Sequence, residues 1–348
     1  MPNTFSKKLL KWYEQYGRHD LPWQKNPTAY RVWISEIMLQ QTQVTTVIGY
    51  YDRFMKSFPT VKSLAMATED AVLSHWSGLG YYARARNIHK TAKIIDGKCK
   101  GKFPSSVEAM SELPGIGKST AGAIISFSLQ KKAVILDGNV KRVLARYFAI
   151  DKPVNQKDVI TEMWALAEKL TPEKNAAKYN QAIMDLGATL CTSAKPRCSD
   201  CPFIADCAAY KNNQPTFYPV KIVKKERPVK KVKMYIVENK QGELLLLKRP
   251  STGIWGGLWS FPECENDLPK LKFIEELPEI THQFTHFTLI ITPVRFSVSH
   301  RKAHTHPFGR VSVLYRLGNA LPGGVAAPVT KILNILSTRP EECVRILR

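Results

Sequence analysis

The sequence predicts a two-part chain: a mainly α-helical N-terminal domain followed by a smaller α+β domain. Three observations carry this. At 348 residues the chain is longer than one hydrophobic core comfortably organises. Up to about residue 212 its apolar residues recur near the helical period, whereas beyond 233 they fall into short strand-like runs. Between the two textures lies "NQPTFYPVKIVKKERPVKKVK" (213–233), with three prolines and, from Lys221 to Lys233, seven Lys or Arg. Such a stretch reads as an extended basic linker. The domains expected are therefore 1–212 and 234–348.

The elements follow in order. "MPNTFSKKLLKWYEQYGRHD" opens as a short amphipathic helix. Residues 29–55 contain few breakers and an apolar pattern of helical period. "DAVLSHWS" (70–77) and "ARARNIHKTAKII" (83–95) are helices separated by "GLGYY" (78–82). "SVEAMSEL" (106–113) leads through a Pro-Gly-x-Gly turn into "KSTAGAIISFSL" (118–129). "VITEMWALAEKL" (159–170) and "AAKYNQAIMDLGATLC" (176–191) complete the helical part. In the second part, "KVKMYIV", the turn "ENKQG" and "ELLLLKR" form a hairpin candidate. "FTLIITPVRFSVS" and "RVSVLYRL" are further strands, and "PVTKILNILST" is a helix with Pro328 in its first turn.

Composition narrows the function. Lys plus Arg is 51 and Asp plus Glu 29, a net charge of +22, with a sequence pI near 9.7. The charge is spread along a chain that is 44% hydrophobic, which favours a folded polyanion binder over a basic tail. No apolar run approaches the roughly 18 residues of a membrane span, and the N-terminus lacks the apolar core of a signal peptide. A cytoplasmic protein is expected, nucleoid-associated if bacterial, monomeric and without a membrane partner. Thiols stay reduced there, so the seven cysteines need another explanation than disulfides.

Four of them, Cys191, Cys198, Cys201 and Cys207, form a C-x6-C-x2-C-x5-C array within 17 residues. Four thiolates in one loop hold either zinc or an iron–sulfur cluster, and spacing alone does not choose. Upstream, "ELPGIGKSTAGAI" (112–124) presents Gly115 and Gly117 at the start of a helix, where free backbone N–H groups suit a phosphate. An ordinary helix connection explains it equally well. Next, "AVILDGNVKRVL" (133–144) runs four apolar residues into Asp137. An Asp at that place is a good helix N-cap, with Gly138 and Asn139 suited to the turn. A catalytic carboxylate is the alternative, and from this stretch alone the cap reading explains it at least as well.

The order of these features, hairpin, then "LDGNVKRVL", then the cysteine array, resembles the helix-hairpin-helix DNA glycosylases of the endonuclease III superfamily. Within it, "LPWQKNPTAYRVWISEIMLQQTQV" (21–44) and "GLGYYARARNIHK" (78–90) are similar to the MutY-type adenine DNA glycosylases, and the likeness continues into the C-terminal domain. The resemblance implies removal of adenine mispaired with 8-oxoguanine or guanine in double-stranded DNA, and a [4Fe-4S] cluster on the four cysteines. It implies that Glu36 is the general acid that protonates the flipped-out adenine at N7. Its apolar neighbours Ile34, Ile37, Met38 and Leu39 suit a protonated carboxyl, although Glu36, Gln40 and Gln43 would also share one polar helix face. Asp137 becomes the anion that stabilises an oxocarbenium-like sugar, and Asn139 its hydrogen-bonding support. Gln41, Thr42 and Tyr81 match residues beside the lesion, and Trp23 and Arg31 match the adenine pocket. Where strand-cleaving members carry a lysine, this chain has Ser119. Lys118 is one residue off, or about 100° around a helix, which implies a monofunctional enzyme using water.

"LLLLKRPSTGIWGGLWSFPE" (244–263) resembles the part of a Nudix, MutT-like domain that precedes its catalytic box, but "CENDLPKLKFIEEL" does not supply that box. The domain should therefore recognise rather than hydrolyse. In the family a Phe-Ser-His loop reads 8-oxoguanine; the matching residues here are Phe284, Thr285 and His286. Two rival readings are an endonuclease III-like glycosylase/lyase, opposed by Ser119 and the second domain, and a non-catalytic DNA-binding module, opposed by the Glu36 and Asp137 pair.

Overall fold

The computed structural model describes residues 2–221, 226–263, 271–298 and 311–338. It divides into two compact units. One comprises Met1–Ala65 with Lys90–Lys224, the other Met66–His89 with Lys225–Arg348. Helix 69–76 and the turn that follows thus pack with the C-terminal sheet, although by composition they match the helical part. Linker residues 222–225 and the segment 264–270, where a Nudix box would begin, lie outside the described residues, as do Cys264 and Cys343.

The described secondary-structure elements of the first unit are all helices. Helix Ala29–Leu39 starts where the Thr28 hydroxyl accepts the Arg31 N–H at 3.3 Å, a normal N-cap. It buries Tyr30, Val32, Trp33, Ile34, Ile37 and Met38, and packs against helix Lys118–Leu129. Val107–Ser111 and Lys118–Leu129 flank the expected hairpin, with Gly115 at φ +80° in its turn and Gly117 as the N-cap. Residues 133–136 run extended and buried into helix Gly138–Tyr147. Their core is shared with the N-terminal helix Pro2–Tyr16 and the helix Ala176–Asp185, through Phe5, Leu9, Tyr179 and Ile183. Phe5 also stacks on Phe203 at 4.2 Å, which ties the cysteine loop to this core. That burial sets the position of Asp137 from behind.

The sheet of the second unit is mixed. Its strands are β1 (Val229–Glu238), β2 (Glu243–Lys248), β3 (Trp259–Ser260), β4 (Lys272–Glu276), β5 (Ile280–Gln283), β6 (Thr288–Ser297) and β7 (Ser312–Arg316). The order is β3-β2-β1-β6-β4, with β5 also on β6 and β7 also on β2. The β1–β2 hairpin is present, with Glu238 opposite Leu244. The longest pairing of β1, however, is parallel, with β6, from Val229–Thr288 to Glu238–Ser297. A parallel partner some 60 residues downstream leaves no local turn signal in the sequence. Helix Ala327–Ser337 buries Val329, Ile332, Leu333 and Leu336. No described helix is long and apolar enough to cross a membrane.

Candidate active site

The first unit encloses a cavity of about 1000 Å³. Its wall includes Trp23, Glu36, Gln41, Thr42, Ser119, Asp137 and Asn139 from the sequence-derived set. Gln40 and Gln43 line it as well, but they do not continue the helix face of Glu36: the helix ends at Leu39, Gln40 is its C-cap and Gln43 is the N-cap of helix Val44–Ser57.

Glu36 projects from a helix whose other faces are packed with apolar side chains. Burial, and then the charge of Asp137, push its carboxyl up to about 8. At neutral pH it holds its proton. Asp137 is the N-cap of helix Gly138–Tyr147: Oδ1 accepts the Val140 N–H at 2.8 Å. Its Oδ2 accepts a hydrogen bond from Asn139 Nδ2 at 2.9 Å. Burial pushes Asp137 above the usual carboxylate range, while these donors and the Arg142 charge pull it back. Asn139 is in turn fixed, its Oδ1 accepting Arg142 Nη2 at 2.8 Å. Cap and site residue are one side chain, oriented by a side-chain relay.

The relay continues to the cysteine loop. Arg142 donates through Nε to the Cys191 carbonyl at 2.8 Å and through Nη2 to Gly187 O at 2.6 Å. One turn on, the buried Arg146 donates through Nη1 to the Cys191 carbonyl, to Cys191 Sγ and to Thr192 O. Sequence reasoning gave neither arginine a role. It also missed Gly187, whose Cβ, if present, would lie 2.7 Å from Asn139 Cβ. Only a glycine lets this segment meet the start of the site helix, and nothing short of the packed structure reveals that.

Ser119 also has a definite place. Its Oγ accepts the Leu136 N–H at 3.0 Å, linking the hairpin's second helix to the run that delivers Asp137. Lys118 is turned elsewhere, with Nζ 4.3 Å from the centre of the Trp164 ring. Among the described residues no lysine lines the cavity. Gln41 sits at φ +56° in the turn after helix Ala29–Leu39, a backbone state that non-glycine residues take up sparingly. Thr42 closes that turn with its hydroxyl donating to Gln40 O at 3.3 Å. Trp23 is buried, edge-on to Tyr51 at 5.5 Å. Arg31 is not on the cavity wall; its Nη2 points to Pro22 O at 3.4 Å.

Cys191, Cys198, Cys201 and Cys207 line one small pocket of about 30 Å³ beside Arg146. Burial pushes the Cys201 thiol up to about 12, and the neighbouring thiols add to it. Four cysteine sulfurs on one small, partly buried pocket, disfavoured as free thiolates, are a donor set that a cationic centre would satisfy. Among the described residues no three His, Cys, Asp or Glu group closely enough to hold a single ion.

In the second unit, Tyr81 occupies the turn 77–82 at φ +48°, with its ring 48% exposed. Phe284, Thr285 and His286 form the β5–β6 turn. Phe284 is held by rings, stacked on Phe287 at 4.5 Å with Trp255 at 5.4 Å and His282 at 4.7 Å. Thr285 and His286 are exposed, with Thr285 Oγ1 3.4 Å from His286 Nδ1.

Two family models match the chain: the HhH-GPD superfamily of base excision DNA repair proteins over residues 34–169, and a NUDIX domain over 233–334. The adenine DNA glycosylase of Buchnera aphidicola subsp. Baizongia pistaciae is 42% identical, covering 95% of this chain and 96% of that one. The chain belongs to the adenine DNA glycosylases, the MutY-type branch of the helix-hairpin-helix superfamily. The Mus musculus adenine DNA glycosylase is 32% identical over 88% of this chain and 73% of its own length. Among solved structures, a thermostable thymine-DNA glycosylase aligns with a TM-score of 0.56 at 27% identity, covering 61% of this chain and 97% of that one. A non-covalent endonuclease III–DNA complex aligns with a TM-score of 0.53 at 19% identity, covering 61% of this chain and 95% of that one, a likeness of fold. Membership of this enzyme family makes the cavity with Glu36 and Asp137 the candidate active site.

Proposed function

We propose that this glycosylase removes adenine paired with 8-oxoguanine, or with guanine, from double-stranded DNA by hydrolysing its N-glycosidic bond, without cutting the strand. The observation that carries the reading is the placing of two carboxyls, Glu36 and Asp137, on the wall of one cavity. Glu36, pushed up to about 8, is the proton donor in this reading. Asp137 is the anion: burial raises it, and the hydrogen bonds from Val140 and Asn139 and the Arg142 charge oppose that rise. A flipped adenine in the cavity takes the Glu36 proton at N7. The C1′–N9 bond breaks with its electron pair going to the base. Positive charge then grows at C1′, where the fixed Asp137 anion stabilises it more than it stabilises the substrate. Water adds its hydroxyl to C1′ and returns a proton to Glu36.

Hydrolysis without strand cleavage is supported by the hydroxyl of Ser119 in place of an amine and by the engagement of Lys118 with Trp164. Gln41, Tyr81 and the hairpin glycines Gly115 and Gly117 are assigned to DNA and Trp23 to the adenine pocket, with Arg31 off the cavity wall on Pro22 O. Thr285 and His286 are assigned to the opposite base, with Phe284 as their packed support. Cys191, Cys198, Cys201 and Cys207 would hold a [4Fe-4S] cluster, which supplies a cross-link for the loop and no step of the hydrolysis.

The deciding assay incubates the protein with duplexes bearing A opposite 8-oxoguanine, A opposite G, or thymine glycol, then splits each reaction with and without alkali. Breakage only after alkali, and on the adenine strands alone, is the expected result. Cutting at thymine glycol would overturn the substrate assignment.

A further inference from the structure

The Tyr81 turn is fastened to the C-terminal sheet by a set of contacts that the hydrolysis does not use. Asp70 lies in the first turn of helix Glu69–Trp76, where a negative charge is favoured. Its Oδ2 pairs with Lys248 Nζ at 2.7 Å, and its Oδ1 accepts the Trp259 indole N–H at 3.3 Å. Lys248 ends β2 and Trp259 opens β3, so one carboxylate grips two strands. Both partners of the ion pair are three-quarters buried, at 26% and 28% exposure.

The same helix is approached closely by backbone. A Cβ on Gly324 would lie 2.6 Å from Leu73 O, and the Gly324 carbonyl accepts the Trp259 N–H at 2.9 Å. Val325 O, next along, accepts the Tyr82 hydroxyl at 3.1 Å, and that hydroxyl oxygen accepts the Gly78 N–H at 3.3 Å. The Trp76 indole N–H and Arg84 Nη2 close the turn on Gly80 O, at 3.1 and 3.2 Å. Tyr81 is left pointing out on a left-handed backbone that a side chain keeps only when its surroundings hold it there.

We propose that Asp70 is a positioning residue for lesion discrimination: gripped by Lys248 and Trp259, it fixes the Tyr81 turn to the C-terminal sheet, so that the turn and the Phe284–His286 loop act as one reader. This rests on the proposed role of Tyr81, Thr285 and His286 at the mispair. Charge swapping tests it in the full-length chain, using Asp70→Lys, Lys248→Asp and the two combined. Asp70→Asn serves as a milder variant should the reversals fail to fold.

Two quantities are read. The first is the ratio of apparent affinities for A opposite 8-oxoguanine over A opposite G at fixed salt, beside the single-turnover excision rate at saturation. Each single reversal lowers the ratio about three- to tenfold and changes the saturated rate by no more than about twofold, and the swap recovers part of the ratio, since it restores the ion pair but leaves the Trp259 indole N–H without its acceptor. A general loss of folding would not be repaired by a second reversal. The second is hydrogen exchange of amides 78–86 in DNA-free protein, which quickens in each single variant and slows again in the swap. Unchanged exchange in the single variants overturns the clamp. Quickened exchange with an unchanged ratio overturns its role in discrimination. If wild type shows no preference between the duplexes, or Thr285→Ala with His286→Ala leaves the ratio intact, the lesion-reading assignment fails instead. Exchange then still decides whether Asp70 holds the turn.

Discussion

Replacing Glu36 by Gln should abolish excision and, at alkaline pH, make the protein more stable than wild type. The carboxyl stands at about 8 in the folded chain against an ordinary 4.5. The folded-state value is the raised one, so the unfolded chain releases this proton first. The associated stability is complete below pH 4.5 and is lost as pH climbs to about 8, beyond which the loss is constant. The difference between 8 and 4.5, at about 1.4 kcal/mol per pH unit, bounds the whole loss at about 5 kcal/mol. The carboxyl faces a cavity that water enters, which returns part of the penalty. A loss of about 2–4 kcal/mol between pH 5 and pH 9 is expected in wild type over and above that of Glu36→Gln.

Urea denaturation of both proteins at several pH values measures the difference directly. Single-turnover excision by wild type should fall along the same limb, about tenfold per pH unit above 8, because only the protonated carboxyl can donate. Parallel stability curves for the two proteins would mean that Glu36 is ionised at neutral pH. It could then not be the acid, and the assignment of roles within the pair would collapse with it.

Asp137→Asn should reduce excision by about 10³-fold with duplex binding largely kept, as single-turnover rates and a binding titration would reveal. It is not a silent isostere: the amide can still accept from Val140, but its NH₂ then faces the Asn139 NH₂ across 2.9 Å, so a stability loss of about 1–2 kcal/mol is also expected. Ser119→Lys should gain strand cleavage without alkali, since an amine there borders the cavity; an unchanged alkali requirement would show that it cannot reach C1′. Purified protein should contain about four irons per chain and absorb in the visible blue. Stoichiometric zinc without iron would remove the cluster.

Much of the site was legible because its chemistry is local in sequence. Asp137, Gly138 and Asn139 announce a helix start, and that start lines the candidate site. Glu36 stands out as an acid within "WISEIML", and the structure gives the reason: its helix neighbours Trp33, Ile34, Ser35, Ile37 and Met38 are buried while Glu36 lies on the cavity wall. What the sequence withheld is long-range. Gly187 matters only because Asn139 is packed on it, and Arg142 only because Cys191 O and Gly187 O lie within its reach. Residues 66–89 have helical composition, so no texture change marks them as partners of the C-terminal sheet. One practical consequence follows. Deleting residues 234–348 would strip Asp70, Leu73 and Tyr82 of their partners, so substitutions at Thr285 and His286 are the cleaner probe of the second domain.

The arrangement behind Asp137 bears on how such a carboxylate can stabilise a transition state. An anion that must reorient as charge develops loses much of its benefit to that reorganisation. Here each freedom of the side chain is already taken. The backbone is set by the buried run 133–136, and Oδ1 is held by the Val140 amide at the start of a helix. Oδ2 is held by Asn139, which Arg142 keeps in one amide orientation, and Arg142 is anchored on the carbonyls of Gly187 and Cys191. Those last two lie on the segment that opens the cysteine array. The segment that opens the cysteine array is thus the anchor of Arg142, which through Asn139 holds the Asp137 carboxylate in one orientation. A cluster on the four cysteines would stiffen that anchor without taking part in the hydrolysis.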